Sequence, residues 1–426
     1  MRRLALASLL VGSAACSRDA VPTAAVTPSY LYVWAGDSAK AASDFLAVIN
    51  SDPTSPQYGA VITTLPTGEL GANPHHTEAE MPANSHLLAN GFSAGRTYLF
   101  DLTAPTSPKL LTAFGDRNGF SHPHTFIRLA NGNVLATFQY AADSDAAAPT
   151  HSHDGAKQWL RATAPVVTHT TGGLVEMDER GTVVRATSAS DPAIRDRFIY
   201  PYSVLALAPI DRAISTTTDM DDKNTTSTAE WVQLWRLSDL TLLKSIALQP
   251  GPRGDEHRFT GEPLLLPDGK SVYIHTFNCG LYLARNIESD MPNASFVKGF
   301  TGKGCGVPLL IGHFWIQPVP ESFSVVSLDI SDPEHPREVS SISVGKDEYP
   351  HWLAKDPTNT RLVLNSGGST GNRLFIINFD PETGALAIDK RFRDPNDTVP
   401  GLKMSARRWP NGWTGTAWPH GTVFSR

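Results

Sequence analysis

Asn50-Ser-Asp-Pro-Thr-Ser-Pro56 lies between two β-rich runs, and its form returns as Asp101-Leu-Thr-Ala-Pro-Thr-Ser-Pro108 and Asp329-Ile-Ser-Asp-Pro-Glu-His-Pro336. Each copy is a strand, an acidic turn with two prolines, and another strand. From Tyr30 onward the chain consists of short apolar or aromatic runs such as Leu31-Tyr-Val-Trp34, Arg96-Thr-Tyr-Leu-Phe100, Val232-Gln-Leu-Trp235 and Leu374-Phe-Ile-Ile377. Turn pairs such as Asn131-Gly132 and Asp268-Gly269 read as hairpin connections. Repeats of roughly 40–50 residues with about four strands each are the mark of a β-propeller. Inner strands starting near His75, His124, Tyr202, Glu262, Pro308, His351 and His420 give seven units. The last run, Trp418 to Phe424, is expected to pair with the N-terminal strands around residues 31–65. That closes the ring and removes free sheet edges. The expected fold is all-β, a seven-bladed propeller occupying residues 30–426 as one domain.

Composition agrees. Of 426 residues, 41% are hydrophobic and 18% charged, enough for a large core and unlike a disordered chain. The 33 glycines and 32 prolines are dispersed, as many tight turns require. A net charge of -6, without a lysine or arginine run, gives no footprint for nucleic acid. Arg2-Arg3, the apolar stretch Leu4 to Val11 and the small residues before Cys16 read as an export signal over residues 1–16, followed by a linker over 17–29. Cys16 after small residues is similar to a bacterial lipobox, so it is a candidate lipidation site; Ser13 departs from that pattern. A periplasmic or outer-membrane lipoprotein, or otherwise a secreted protein, is expected, with the membrane touched only through that anchor, and a monomer. Cys279 and Cys305 then remain, and in an oxidising compartment they make a plausible disulfide, with thiolate metal ligation the competing reading.

Two stretches break the spacing. Residues 139–171 form a polar insertion carrying His151, His153 and His169, and residues 392–417 form a Pro/Trp-rich connection. His151-Ser-His153 could bind metal as an accessory site, or be a solvated loop tip.

Pro-His pairs mark unit starts: Pro74-His75 (followed by His76), Pro123-His124, Pro350-His351 and Pro419-His420. Inner strands of a propeller begin on one face and line the channel, so histidines there point to a common axis. Taken singly, an imidazole more often partners a backbone carbonyl. Gathered together, neutral imidazoles bind copper or zinc and leave a position for substrate. His75, His124, His351 and His420 form the expected metal set, with His76 an alternative ligand or a support. His122 reads as loop packing, and His86, His275, His313 and His335 as structural or exposed. Glu262 is the acid-base candidate, either orienting a ligand histidine or acting as a base; a plain turn carboxylate is the other reading. No nucleophile elbow, Walker or dinucleotide motif is present.

Asp44-Phe-Leu-Ala-Val-Ile-Asn-Ser-Asp-Pro-Thr-Ser-Pro-Gln-Tyr58, His75-His76, His124-Thr125 leading to Leu129-Ala-Asn-Gly-Asn-Val134, Trp231 to Arg236, and Asp329 to Arg337 together resemble the selenium-binding protein family, which includes the methanethiol oxidases. The resemblance implies a seven-bladed propeller and, in oxidase members, histidine-bound copper that converts methanethiol with oxygen. Departures are present. Gly59 replaces the family's selenium-associated cysteine, Ile127 replaces a histidine, and the fifth unit is short around Gly306 to Trp315. His351 and His420 are additions to the family pattern. The expected function is an exported copper oxidase of a small thiol. A non-catalytic metal- or ligand-binding propeller is the first alternative, and a divalent-metal propeller hydrolase or lactonase the second.

Overall fold

The computed structural model describes residues 29–142, 170–194, 197–220, 229–289, 291–366 and 373–426. Seven antiparallel sheets form the blades of a propeller. In chain order, the inner strands of the first six blades are Pro74–Thr77, Phe120–Arg128, Pro201–Leu207, Thr260–Leu265, Leu309–Ile311 and Pro350–Lys355. The seventh blade has Ala417–Phe424 inside, then Tyr30–Asp37, Ser43–Asn50 and Val61–Leu70 outward. Ring closure therefore joins the two ends of the described chain, with Leu31 opposite Phe424 and Tyr32 opposite Val423. All seven inner strands begin within a few residues of the positions read from the sequence. The short fifth blade has an inner strand of only three residues.

Burial explains the sequence pattern. Second and third strands are covered on both faces by neighbouring blades, so Leu31 to Ala35 and Phe45 to Ile49 are continuously buried. Outer strands such as Val183–Ser188 mix exposed and half-buried positions. Aromatic side chains fill the wedges. Trp34 of the seventh blade lies 5.1 Å from Tyr98 and 5.6 Å from Phe100 of the first, and its indole N–H donates to the Asn90 carbonyl at 2.8 Å. Truncating a tryptophan buried this way typically costs about 3–5 kcal/mol.

Cys279 and Cys305 form a disulfide that brackets the outer hairpin of the fourth blade. Closing a loop of 26 residues constrains the unfolded chain by about 3–4 kcal/mol on the loop-entropy model. The bridge also leaves neither sulfur as a thiolate ligand. Cys16, His151, His153 and His169 lie outside the described residues. Among the described residues no helix is long and apolar enough to cross a membrane.

One device recurs at the head of the blades. The register between inner and second strand slips between Pro74 and Thr77, Pro123 and Phe126, Pro201 and Val204, Thr260 and Pro263, and Pro350 and Trp352. Proline has no N–H to give to the ladder, so it is tolerated where pairing is broken. At each of the first four slips, two residues of the inner strand oppose one of the second, which is a β-bulge that re-aims side chains. The opposing residue takes the freed backbone N–H: Asn90 Oδ1 accepts from His76 N at 2.6 Å, Thr137 Oγ1 from Thr125 N at 3.0 Å, Thr216 Oγ1 from Ser203 N at 3.1 Å, and His275 Nδ1 from Glu262 N at 2.8 Å. Two of these reach onward to the next blade, Asn90 Nδ2 donating to the Pro123 carbonyl at 2.7 Å and Thr137 Oγ1 to the Tyr202 carbonyl at 2.8 Å.

Replacing Asn90 by alanine strands two buried backbone groups at about 1–3 kcal/mol each. Urea denaturation of Asn90→Ala is expected to show a loss of roughly 2–6 kcal/mol, with the denaturant slope unchanged.

Candidate metal centre

The bulges bring the Pro-His positions to one point. His75 and His76 leave the first bulge with parallel rings 4.5 Å apart. The His124 ring lies 4.9 Å from His75 and 4.2 Å from His76, and the His420 ring lies 4.0 Å from His75. His351 meets His420 through their Nε2 atoms at 2.9 Å, so one of the two donates to the other. Histidines from four blades, more than 340 residues apart at the extremes, thus form one cluster. His75, His76, His124 and His420 are buried, and His351 is half-buried.

Two close approaches make the cluster possible. Gly421 follows His420, and a Cβ there would stand 2.5 Å from the Thr77 nitrogen and 2.8 Å from the His75 carbonyl oxygen. The closing strand can therefore draw alongside the first only with glycine at that position. At Gly261 a Cβ would overlap the His275 ring, so the glycine lets that ring reach the Glu262 N–H.

Tyr202 organises the next side of the ring. His124 Nδ1 donates to its carbonyl at 2.8 Å, and the Tyr202 hydroxyl lies 3.2 Å from His76 Nε2. The carbonyl fixes the tautomer of His124: Nδ1 carries the proton and Nε2 keeps a lone pair. That Nε2 is buried without a hydrogen-bond partner. A histidine held by a backbone carbonyl through one nitrogen, with the other bare, is the arrangement that metal-ligating histidines adopt. Burial drives His124 down to about 3. It also drives His76 well below its ordinary value, with His124, His420 and His351 adding repulsion. Both are neutral and ready to donate lone pairs.

Donor atoms of His75, His76 and His420 all lie within 4.8 Å of one another. Three nitrogens sharing one ion at about 2.0–2.1 Å in a trigonal or tetrahedral arrangement sit about 3.3–3.6 Å apart, so a bound ion would draw the most separated rings together by about an ångström. The donor set and the bare Nε2 of His124 therefore suit a metal that accepts imidazole.

Across the ring, Glu262 is half-buried, its carboxylate accepting from the Ser203 hydroxyl. Burial without a cationic partner pushes it up to about 7, against which the Ser203 bond works. His275 is buried, with Nδ1 accepting from Glu262 N and Nε2 left without a partner, and burial lowers it to about 3.

The remaining histidines fall elsewhere. His122 packs against Phe92 and Tyr140 at 5.4 and 5.1 Å, but within the Phe120–Arg128 strand rather than in a loop. His86 pairs with Glu179 at 2.8 Å and His335 with Asp332 at 2.9 Å. His313 lies beside Phe314. The contributions of Tyr202, Ser203, Asn90, Thr137 and Asn365 were not visible in the sequence. Asn365 donates to the His420 carbonyl and to Thr422 Oγ1. The signal that finds them is the register: each sits at or opposite a bulge, and Pro201 precedes Tyr202 as Pro74 precedes His75.

A propeller with a buried imidazole cluster where inner strands of several blades begin is the class of protein that this geometry defines. Comparison with known proteins gives the kinship. The chain is 37% identical over 135 residues to a methanethiol oxidase from Hyphomicrobium sp, covering 30% of this chain and 28% of that protein. It is 30% identical over 109 residues to selenium-binding protein 2 of Arabidopsis thaliana, 22% of each chain. The matched segments thus span less than a third of these relatives. No family model matches. A hypothetical selenium-binding protein from Sulfolobus tokodaii superposes with TM-score 0.66 over 94% of both chains at 14% identity. A periplasmic gluconolactonase from Pseudomonas aeruginosa superposes with TM-score 0.62 over 94% of this chain and 99% of that one, at 13% identity. At such identities the structures share the fold alone. The resemblance to selenium-binding proteins and methanethiol oxidases read from the sequence is thus shown by curated relatives.

Protonation of the buried imidazoles gives a pH signature. His76, His124 and His275 are held below their ordinary value of 6.5, so between that value and about 3 the unfolded chain binds more protons and stability falls on acidification. Glu262 works the other way, its contribution being full below 4.5 and lost as pH rises through about 7. Three sites outweigh one. Calorimetry of the metal-free protein is expected to show the melting temperature falling as pH drops from 6.5 towards 4, with a shallower fall in His275→Asn.

Proposed function

We propose that the protein is an exported, copper-dependent oxidase of a small thiol. The observation that carries this reading is the buried convergence of His75, His76, His124, His351 and His420, in which one nitrogen of His124 is fixed by a carbonyl and the other is bare. The likeness to a methanethiol oxidase supports the reaction class. His75, His76 and His420 would hold the ion, with His124 beside them and His351 orienting His420. Copper, when bound, supplies a change of oxidation state that zinc lacks, and its softness suits sulfur. The Cys279–Cys305 disulfide supports function outside the reducing cytoplasm, and Cys16 remains the candidate anchor.

Each side chain then has a role. Tyr202 keeps His124 in one tautomer and limits the swing of His76. Glu262 accepts the thiol proton: the S–H bond breaks, an O–H bond forms on the carboxylate, and the thiolate is left facing the imidazoles. A carboxyl raised to about 7 lies within about two units of a thiol near 8.5, where proton transfer is efficient. Ser203 steadies the ionised carboxylate through its hydroxyl. The hydrolase alternative would need several carboxylates or amides at the blade heads. Among the described inner-strand bulges only Glu262 supplies one.

The purified full chain, loaded with copper, is expected to consume oxygen when given methanethiol. In His75→Ala/His124→Ala, bound copper and oxygen uptake should both be lost. A wild type that takes up no copper, or a variant with unchanged copper, overturns the proposal; copper without turnover favours a binding protein. Glu262→Gln is expected to keep its copper while turnover falls by about 10²–10⁴-fold, with the acidic limb of the pH profile removed.

A further inference from the structure

On the outer edge of the ring, the turn after Asn50 meets the Pro/Trp-rich connection 392–417. Between them opens a cleft of ≈ 690 Å³ that contains no inner-strand residue. Three of its lining residues are arginines, Arg393, Arg407 and Arg408, and none is a carboxylate. Arg407 is already engaged, donating to Asp394 at 2.8 Å and to the Lys403 carbonyl at 2.8 Å. Arg393 and Arg408 are exposed and make no ion pair among the described residues.

Elsewhere several guanidinium groups are committed to carboxylates. Arg128 holds Glu78 and Glu179, Arg361 holds Asp356, and Arg373 holds Asp397. Two uncommitted guanidinium groups facing one concave space, with no acidic side chain to neutralise them, form a field that attracts an anion. The planar fork of arginine matches phosphate, sulfate and carboxylate oxygens. The lining also includes the apolar and aromatic side chains of Pro56, Tyr58, Trp409 and Pro410. It is also rigid. Tyr58 is tied to Asp389 at 3.0 Å and packs on Phe392 at 5.3 Å, and Trp409 is buried against Phe45 at 4.8 Å. The volume falls within the range that holds small organic ligands.

We propose that this cleft is a second binding site, separate from the imidazole cluster, for a phosphate- or sulfate-type oxyanion carried on an apolar body. Arg393 and Arg408 bind the oxyanion, and the Pro/Tyr/Trp wall takes the body. Such a group could be presented by a soluble ester or by an anionic lipid headgroup, and the site reads the same chemistry in both.

The test uses the full chain at low ionic strength. Calorimetric titration with phenyl phosphate is expected to show saturable binding, stronger than that of inorganic phosphate because the ring adds contact. Arg393→Ala/Arg408→Ala should weaken it by at least about tenfold, while Arg180→Ala, an exposed arginine outside the cleft, leaves it unchanged. Sedimentation with phosphatidylcholine vesicles, with and without phosphatidylglycerol, separates the sources. Binding to anionic vesicles alone that the double variant loses supports the site with a lipid ligand. Binding of neither probe, or equal binding by wild type and double variant, overturns the proposal. Both substituted positions are exposed, so the variant is expected to keep the wild-type melting temperature, and its copper content reports the imidazole cluster independently.

Discussion

A broken hydrogen-bond ladder at the head of most inner strands is the constraint on which the functional end of this molecule depends. An extra residue enters the strand, in most blades just after a proline that gives no donor, and the side chains at the break are re-aimed. The backbone groups released by the break are buried and must find partners. Asn90, Thr137, Thr216 and His275 supply them from the second strand, at the same place in four successive blades. Site and scaffold are therefore one structure: the residues that repair the break also fix the direction of the imidazoles.

This device explains why such different side chains occupy equivalent positions. A bulge offers each blade one or two inward places and does not dictate their chemistry. The first blade fills them with His75 and His76, the second with His124 and Thr125, the third with Tyr202 and Ser203, the fourth with Gly261 and Glu262. Going round the ring, the environment passes from lone-pair donors to a hydroxyl and then to a carboxyl. Neutral imidazoles thus lie on one side of the ring and a carboxyl raised to about 7 on the other.

Much of the fold was legible because its signals are local. Acidic two-proline turns, Asn-Gly and Asp-Gly pairs and apolar runs of strand length fixed the inner-strand starts from His75 to His420 to within a few residues. The histidine set was legible for the same reason, since Pro-His pairs recur at those starts. What could not be read is whatever depends on register across strands. Asn90 and Thr137 are ordinary polar residues until each is seen opposite a bulge. Tyr202 looks like a core aromatic until its carbonyl is found on His124. His275 reads from the sequence as structural or exposed, and its role as acceptor for the Glu262 N–H needs both Gly261 and the slip between Thr260 and Pro263. The wall of the arginine cleft is likewise split between residues 56–61 and 393–412, and no sequence window contains both.

His420 belongs to the strand that closes the ring, while His75 belongs to the first blade after the N-terminal strands. Their rings come within 4.0 Å only when Ala417–Phe424 has docked against Tyr30–Asp37. Any ion held by both is bound to the closed ring and not to the open one. It therefore acts as a clasp, adding its own binding free energy to closure in proportion to the logarithm of its concentration. For a sheet sealed by hydrogen bonds alone, opening at the seam is a property of the chain; an ion held across it would make opening a property of the metal supply as well.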